Sequence, residues 1–362
     1  MVLKNFNDVL DNTYIGGLDR GISNFLYGIN MTHSTPIIPM ERYRKGYVFF
    51  TRPQLNLTTP NLLNVREFYP LLTKNLVSKE AYVRTMLDPR LQWDLYGPFV
   101  KSKEGSILIT NEVVNCPLSD KYQAFIPVLT NTLLTLSGIP DVAVPHMTTE
   151  AGLRREQYAM VDGTYEVNDV YEVTATFSNI KTGVLPLLFQ MWTMYESKVF
   201  EGELVPYVDF ISENELDYNT RFYIILLDKT GKYVSMIFAP GAAFPTAMNL
   251  GKYFEYDRNE IMKESNKTLD IKFVCVGGQY NDPRLIHEFN LVQTYFNPYY
   301  EDYYIKGDKN SMYEVDDLLK NYLNYRCYPY IDPDTLEFKW LVPKDSQSYS
   351  LATEKLTNGN NN

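Results

Sequence analysis

The sequence predicts an α+β, β-rich fold, and three stretches near its middle carry the prediction. In residues 167–177, Val167, Asp169, Tyr171, Val173, Ala175 and Phe177 alternate with Asn168, Val170, Glu172, Thr174 and Thr176. A period of two, mostly apolar against mostly polar, is the pattern of a strand with one buried face. Residues 184–200 are apolar almost all round, which predicts a helix buried on more than one side, with Pro186 tolerated near its first turn. Residues 222–227 are continuously apolar and so read as a strand covered on both faces, and Gly231 supplies the positive-φ residue that a short hairpin turn needs.

The rest of the chain divides around this block. Residues 1–45 hold Gly16, Gly17, Gly21, Gly28 and the proline pair Pro36 and Pro39 without periodicity. They predict an extended N-terminal arm, which buries too little of its own apolar surface to order alone and so orders against a neighbour. Residues 46–150 read as a mixed α/β accessory region. It begins with a strand at 46–51, stopped by Pro53, and a short helix at 62–68. A helix at 79–87 is capped by Ser78 and ended by Asp88 and Pro89. A strand at 106–110 follows, then a helix at 120–137 that Pro127 should kink and Gly138 should stop.

Residues 151–282 form the predicted β-rich core, entered through the charged turn Arg154, Arg155, Glu156. Its last strand alternates Leu269, Ile271, Phe273 and Cys275 with polar neighbours and ends at Gly277 and Gly278. Residues 283–345 read as a helical, Tyr-rich C-terminal region: a helix opened by Asp282 and Pro283, an aromatic cluster at 297–304, and an amphipathic helix at 313–325. Residues 346–362 are polar throughout and predict a disordered tail.

Composition excludes several functions. The formal net charge of −10 is the opposite of a nucleic-acid footprint and favours a surface along which DNA slides without sticking. Cys116, Cys275 and Cys327 are too widely spaced for a metal motif or a disulfide framework, and Cys275 reads as a small buried hydrophobe. No apolar run approaches a membrane span. With 30 Tyr and 19 Phe the chain is rich in the rings that serve protein interfaces and sugar platforms alike.

No catalytic constellation emerges. His33, His146 and His287 fall in no ligand spacing, and neither a phosphate-binding glycine loop nor a nucleophile elbow is present. No metal or cofactor is therefore expected. Paired carboxylates are the one chemistry that composition permits, for instance Glu213 with Glu215 or Glu301 with Asp302, but sequence-adjacent acids do not establish two carboxyls facing each other across a cleft. A carbohydrate-binding or carbohydrate-active β-protein stays open as an alternative on the strength of the Tyr295–Tyr304 cluster.

The order of residues 174–189, 204–210, 217–223 and 241–245 resembles virion structural proteins of large tailed bacteriophages and has a tail-tube layout. The resemblance covers about a third of the chain. It implies a tail-tube-like β-sandwich or barrel with a flanking helix plus additional helices, in a non-enzymatic tail tube, baseplate or neck component that acts by ring self-assembly; a capsid or head-tail connector protein is the lesser alternative. Implied partners are copies of itself and other virion proteins, with transient DNA passage, no sequence-specific nucleic acid and no membrane. The implied location is the virion, assembled in the host cytoplasm. Phe189, Trp192, Tyr195, Phe244, Tyr299, Tyr300, Tyr303 and Tyr304 are the expected assembly contacts, since the 222–227 strand and the 184–200 helix look too apolar for one small sheet to cover.

Overall fold

The computed structural model describes residues 45–92, 112–163, 167–180, 182–228, 230–253, 268–315 and 327–344. In chain order the elements are strand β1 (Lys45–Phe50), helices α1 (Thr59–Leu62) and α2 (Lys79–Leu87), and helix α3 (Pro127–Thr132) running straight into β2 (Leu133–Ser137). The short strands β3 (His146–Thr148) and β4 (Ala159–Val161) precede β5 (Val167–Ser178), α4 (Val184–Glu201), α5 (Val208–Glu213), β6 (Phe222–Leu227) and β7 (Val234–Met248). Then come β8 (Thr268–Tyr280), α6 (Pro283–Thr294), α7 (Pro298–Tyr304), β9 (Met312–Val315), β10 (Tyr328–Ile331) and β11 (Phe338–Pro343).

Six strands form one antiparallel sheet in the order β1-β6-β7-β8-β5-β2. Its two edges come close together. The Ile126 N–H donates to the Phe50 carbonyl at the end of β1, and the six residues of α3 then carry the chain directly to β2. Six helical residues advance about 9 Å, whereas five strand spacings across a flat sheet would need about 24 Å. The sheet is therefore curled and nearly closed, with α3 bridging its gap. This is the β-rich α+β architecture expected, a barrel-like sheet with a flanking helix.

The curl gives the sheet two apolar faces with different covers. Phe50, Phe177, Phe222 and Phe273 pack with Phe189 and Trp192 of α4 on one face. Phe49, Tyr223 and Ile225 pack with Phe125, with Phe289 of α6 and with Phe338 on the other. Residues 222–227 are indeed covered on both faces, but the cover belongs to the same chain, which corrects the expectation of a second copy there. Helix α4 differs too: Val184, Leu185, Leu188, Phe189, Met191, Trp192 and Tyr195 are buried, whereas Phe200 is 93% exposed. Burial at spacings of three and four is one face, not the whole circumference. Left-handed Gly183 (φ 65°) and Gly202 (φ 77°) flank the helix and fix its length.

Several local expectations hold. The Ser78 hydroxyl accepts from the Ala81 N–H at 3.2 Å, and the Asp282 carboxylate accepts from the Arg284 N–H at 2.9 Å at the start of α6. Gly231 is left-handed, and Cys275 is buried. Others are corrected. Residues 120–137 are not one kinked helix: Pro127 opens α3, where its missing N–H costs nothing, and residues 133–137 pair with β5 as an edge strand. The short helix expected at 62–68 is α1 followed by a 3-10 turn at Arg66–Leu72. Residues 312–315 are a strand, β9, because they ladder with β11 instead of starting a helix. The last core strand runs past Gly277 to Tyr280. The arm at 1–44, the strand at 106–110, the remainder of the 313–325 helix and the tail at 346–362 lie outside the described residues.

The sheet also crosses the division drawn in the sequence, since β1 and β2 from residues 46–150 are its two edge strands. Arg52 is one reason the accessory region is inseparable. Its buried guanidinium donates to the carbonyls of Met86, Thr85 and Gln123, tying β1 to α2 and to the loop before α3. The smaller sheet β10-β11-β9 carries a third apolar cluster around Tyr300, Tyr328, Tyr330 and Leu341.

Candidate functional site

The aromatic residues expected at an assembly surface fall into two groups. Phe189, Trp192, Tyr195 and Tyr300 are completely buried in the subunit. The Trp192 indole donates to the Tyr218 carbonyl at 2.9 Å, the Tyr195 hydroxyl donates to Asp217, and the Tyr300 hydroxyl donates to Asn290 Oδ1 at 3.0 Å. Each ring thus has its apolar body in the core and its polar tip satisfied there. Phe244, Tyr299, Tyr303 and Tyr304 are half-buried. Tyr303 lies edge-on to Tyr330 at 5.3 Å, and the Tyr304 hydroxyl is 2.7 Å from His287 Nδ1. The Tyr-rich stretch is mainly the packing layer of α7 against β10.

The surface that is exposed lies elsewhere. Every residue from 141 to 163 is exposed, and within that stretch β3 and β4 pair as a hairpin in the register His146↔Val161, Met147↔Met160, Thr148↔Ala159. The stalk is tied by the Asp162 N–H to the Pro145 carbonyl and by the Thr149 N–H to the Tyr158 carbonyl, both at 2.9 Å. Val142, Val144, Met147, Leu153, Tyr158, Met160 and Val161 stand in water along it. A two-stranded hairpin of this length is marginal in water without a surface to pack on, so its exposed apolar side chains make it a candidate contact surface.

A second exposed group surrounds α5, where Val205, Val208, Ile211 and Leu216 all face solvent. That helix is held rigidly from below. Buried Arg90 makes a two-pronged ion pair with Asp209, at 2.7 and 3.0 Å, and its guanidinium lies 4.3 Å from the Tyr207 ring centre. The Tyr207 hydroxyl in turn donates to Asp88 at 2.8 Å, and burial pushes the Asp88 carboxyl up to about 6 despite that bond.

Among the described residues no group of three His, Cys, Asp or Glu side chains is placed to hold a metal ion, and no helix is long and apolar enough to cross a membrane. Glu213 and Glu215 lie exposed on either side of left-handed Asn214, and Asp302 pairs with Lys306 at 2.6 Å. The hairpin escaped the sequence reading. Its strands are three residues long and bury nothing, so they carry no alternation; the available signal was Gly152 set between two short apolar runs.

A curled sheet packed by α4 on one face and α6 on the other, with an exposed hairpin between β2 and β5, defines a β-rich α+β fold. A family model described as "Putative phage tail tube protein" matches residues 7–357. The chain belongs to this family and is a structural component of the phage tail, and hence of the virion. No curated protein matches it. Among solved structures, the cap of the anti-feeding prophage (tube terminating cap) is 13% identical, with 43% of this chain and 81% of that one covered at a TM-score of 0.24. The sheath/tube terminator of an extracellular contractile injection system, PVC, is likewise 13% identical, over 43% and 86% at 0.23. Its sheath-tube complex is 14% identical over 43% and 82% at 0.24.

Proposed function

We propose that this tail subunit works by self-assembly, its copies joining head to tail into rings that build or begin a tube, without catalysis and without a cofactor. The observation that supports this most is the hairpin at 141–163, an ordered projection with apolar side chains that its own subunit leaves in water. A heterologous contact between such a projection and a different face of the next copy closes a ring when the rotation allows. Other virion proteins would then meet the finished ring, and assembly would take place in the host cytoplasm. The charge of −10 suits a tube through which DNA passes, since like charge keeps the polymer from adhering.

The test is negative-stain electron microscopy of purified protein over a concentration series, together with mass spectrometry of purified virions. Rings or tubes and a virion peptide signal are expected. A strict monomer at every concentration, absent from the particle, would sink the proposal.

A further inference from the structure

A cavity of about 130 Å³ lies where β1, the start of α3 and β11 meet. Tyr47, Phe49, Phe125 and Trp340 give it aromatic walls, to which Pro127 and Pro329 add. The rings are themselves packed: Phe338 stacks on Tyr47 and meets Trp340 edge-on, both at 5.3 Å, and Phe289 stacks on Phe125 at 5.1 Å. Rings packed in this way hold the shape of the cavity. An apolar cavity of this order takes a molecule the size of benzene.

Two polar groups interrupt the apolar lining. Gln123 and Thr130 both border the cavity, and Gln123 Oε1 and Thr130 Oγ1 are buried without a hydrogen-bond partner among the described residues. Gln123 is only 7% exposed, and its amide is already oriented, because Nε2 donates to the Cys327 carbonyl at 3.4 Å while Arg52 holds the Gln123 backbone carbonyl at 3.0 Å. The amide oxygen is left as an acceptor. A buried acceptor without a donor is costly, so an occupant that supplies one is favoured.

The lining narrows the occupant further. Among the described residues no charged side chain borders the cavity, so an ion would enter without a counter-charge, and a neutral molecule is favoured. An amide oxygen calls for a donor, whereas a threonine hydroxyl donates or accepts. A hydroxyl on the occupant suits both, donating to the amide oxygen and accepting from the threonine. An aromatic ring suits the walls.

We propose that this cavity binds a free phenol, a single neutral aromatic ring carrying one hydroxyl, with the ring against the aromatic walls and the hydroxyl at Gln123 Oε1 and Thr130 Oγ1. No residue of 141–163 lines the cavity, so the site stands or falls independently of the assembly reading.

The test titrates phenol and benzene, which differ only by the hydroxyl, into the full-length protein and follows binding by ligand-observed NMR. Phenol is expected to bind at about 1 mM or tighter, and about tenfold or more tightly than benzene. Thr130→Val has no hydrogen bond to lose at that hydroxyl and should fold normally; it and Gln123→Leu should each bring the two ligands towards equal affinity. Phe200→Ala, exposed on α4, should keep the preference. Binding of neither ligand, which would leave the two polar atoms to water, would overturn the site, as would equal binding of both or a preference that survives both lining variants. The phenol ring also occurs on tyrosine side chains, and sedimentation velocity with saturating phenol separates the two sources. Unchanged species are expected; oligomers that dissociate on binding would overturn the proposal in favour of a tyrosine from a neighbouring subunit.

Discussion

Glu196 shows how a single side chain sets the pH response of the fold. It lies on α4 beside the buried Tyr195, and its Oε1 finds no donor. Burial first, and the nearby charge of Asp217 second, push its carboxyl up to about 9. Burial likewise pushes Asp88 and Asp217 up to about 6. The sign follows from proton counts. An unfolded Glu loses its proton near pH 4.5 while the folded Glu196 keeps it, so the native state binds more protons over the interval and stability falls as pH rises from there through about 9. Glu112 and Asp209 are shifted down instead and act only below the ordinary carboxylate range. Replacing Glu196 by Gln removes the largest contribution. Urea titrations at pH 5 and pH 8 should show the wild type losing roughly 2 to 4 kcal/mol over the interval and Glu196→Gln losing much less; parallel losses would show that Glu196 is ionised in the fold.

At the scale of the element, α5 is a six-residue helix with no buried residue, held in place through its flanking and anchoring side chains. Asp209→Asn removes the carboxylate that the buried Arg90 guanidinium grips, while Gln54 and the faces of Tyr207 and Phe210 stay beside it. Breaking a buried pair from one side costs about 3 kcal/mol, which chemical denaturation should register. Elements like this one were the least legible in the sequence. The 167–178 strand, the 184–201 helix, the 222–248 hairpin and the 268–280 strand could be read directly, because each is punctuated by glycine, proline or a cap and carries its own periodicity. Strand β2 was not, since Leu129, Leu133 and Leu136 have helical spacing and only pairing with β5 makes the second half extended. For the contact surface, Phe189, Trp192, Tyr195 and Tyr300 were expected at an assembly interface and are instead buried inside the subunit; an aromatic side chain does not announce whether its cover comes from its own chain or from a neighbour.

For the whole molecule, the proposed division of labour is between a nearly closed sheet with both faces filled from within and a hairpin whose residues are all exposed. In the proposed assembly the first holds the protomer together and the second joins it to other copies. These two properties separate experimentally, because deleting residues 141–163 and closing the gap with a short glycine-serine turn removes no buried side chain. Sedimentation velocity of the intact chain beside this deletion decides whether the hairpin joins the copies. Ring-sized or larger species are expected for the intact chain and only monomer for the deletion, with melting temperatures within a few degrees of each other. Assembly that survives the deletion unchanged would contradict this expectation.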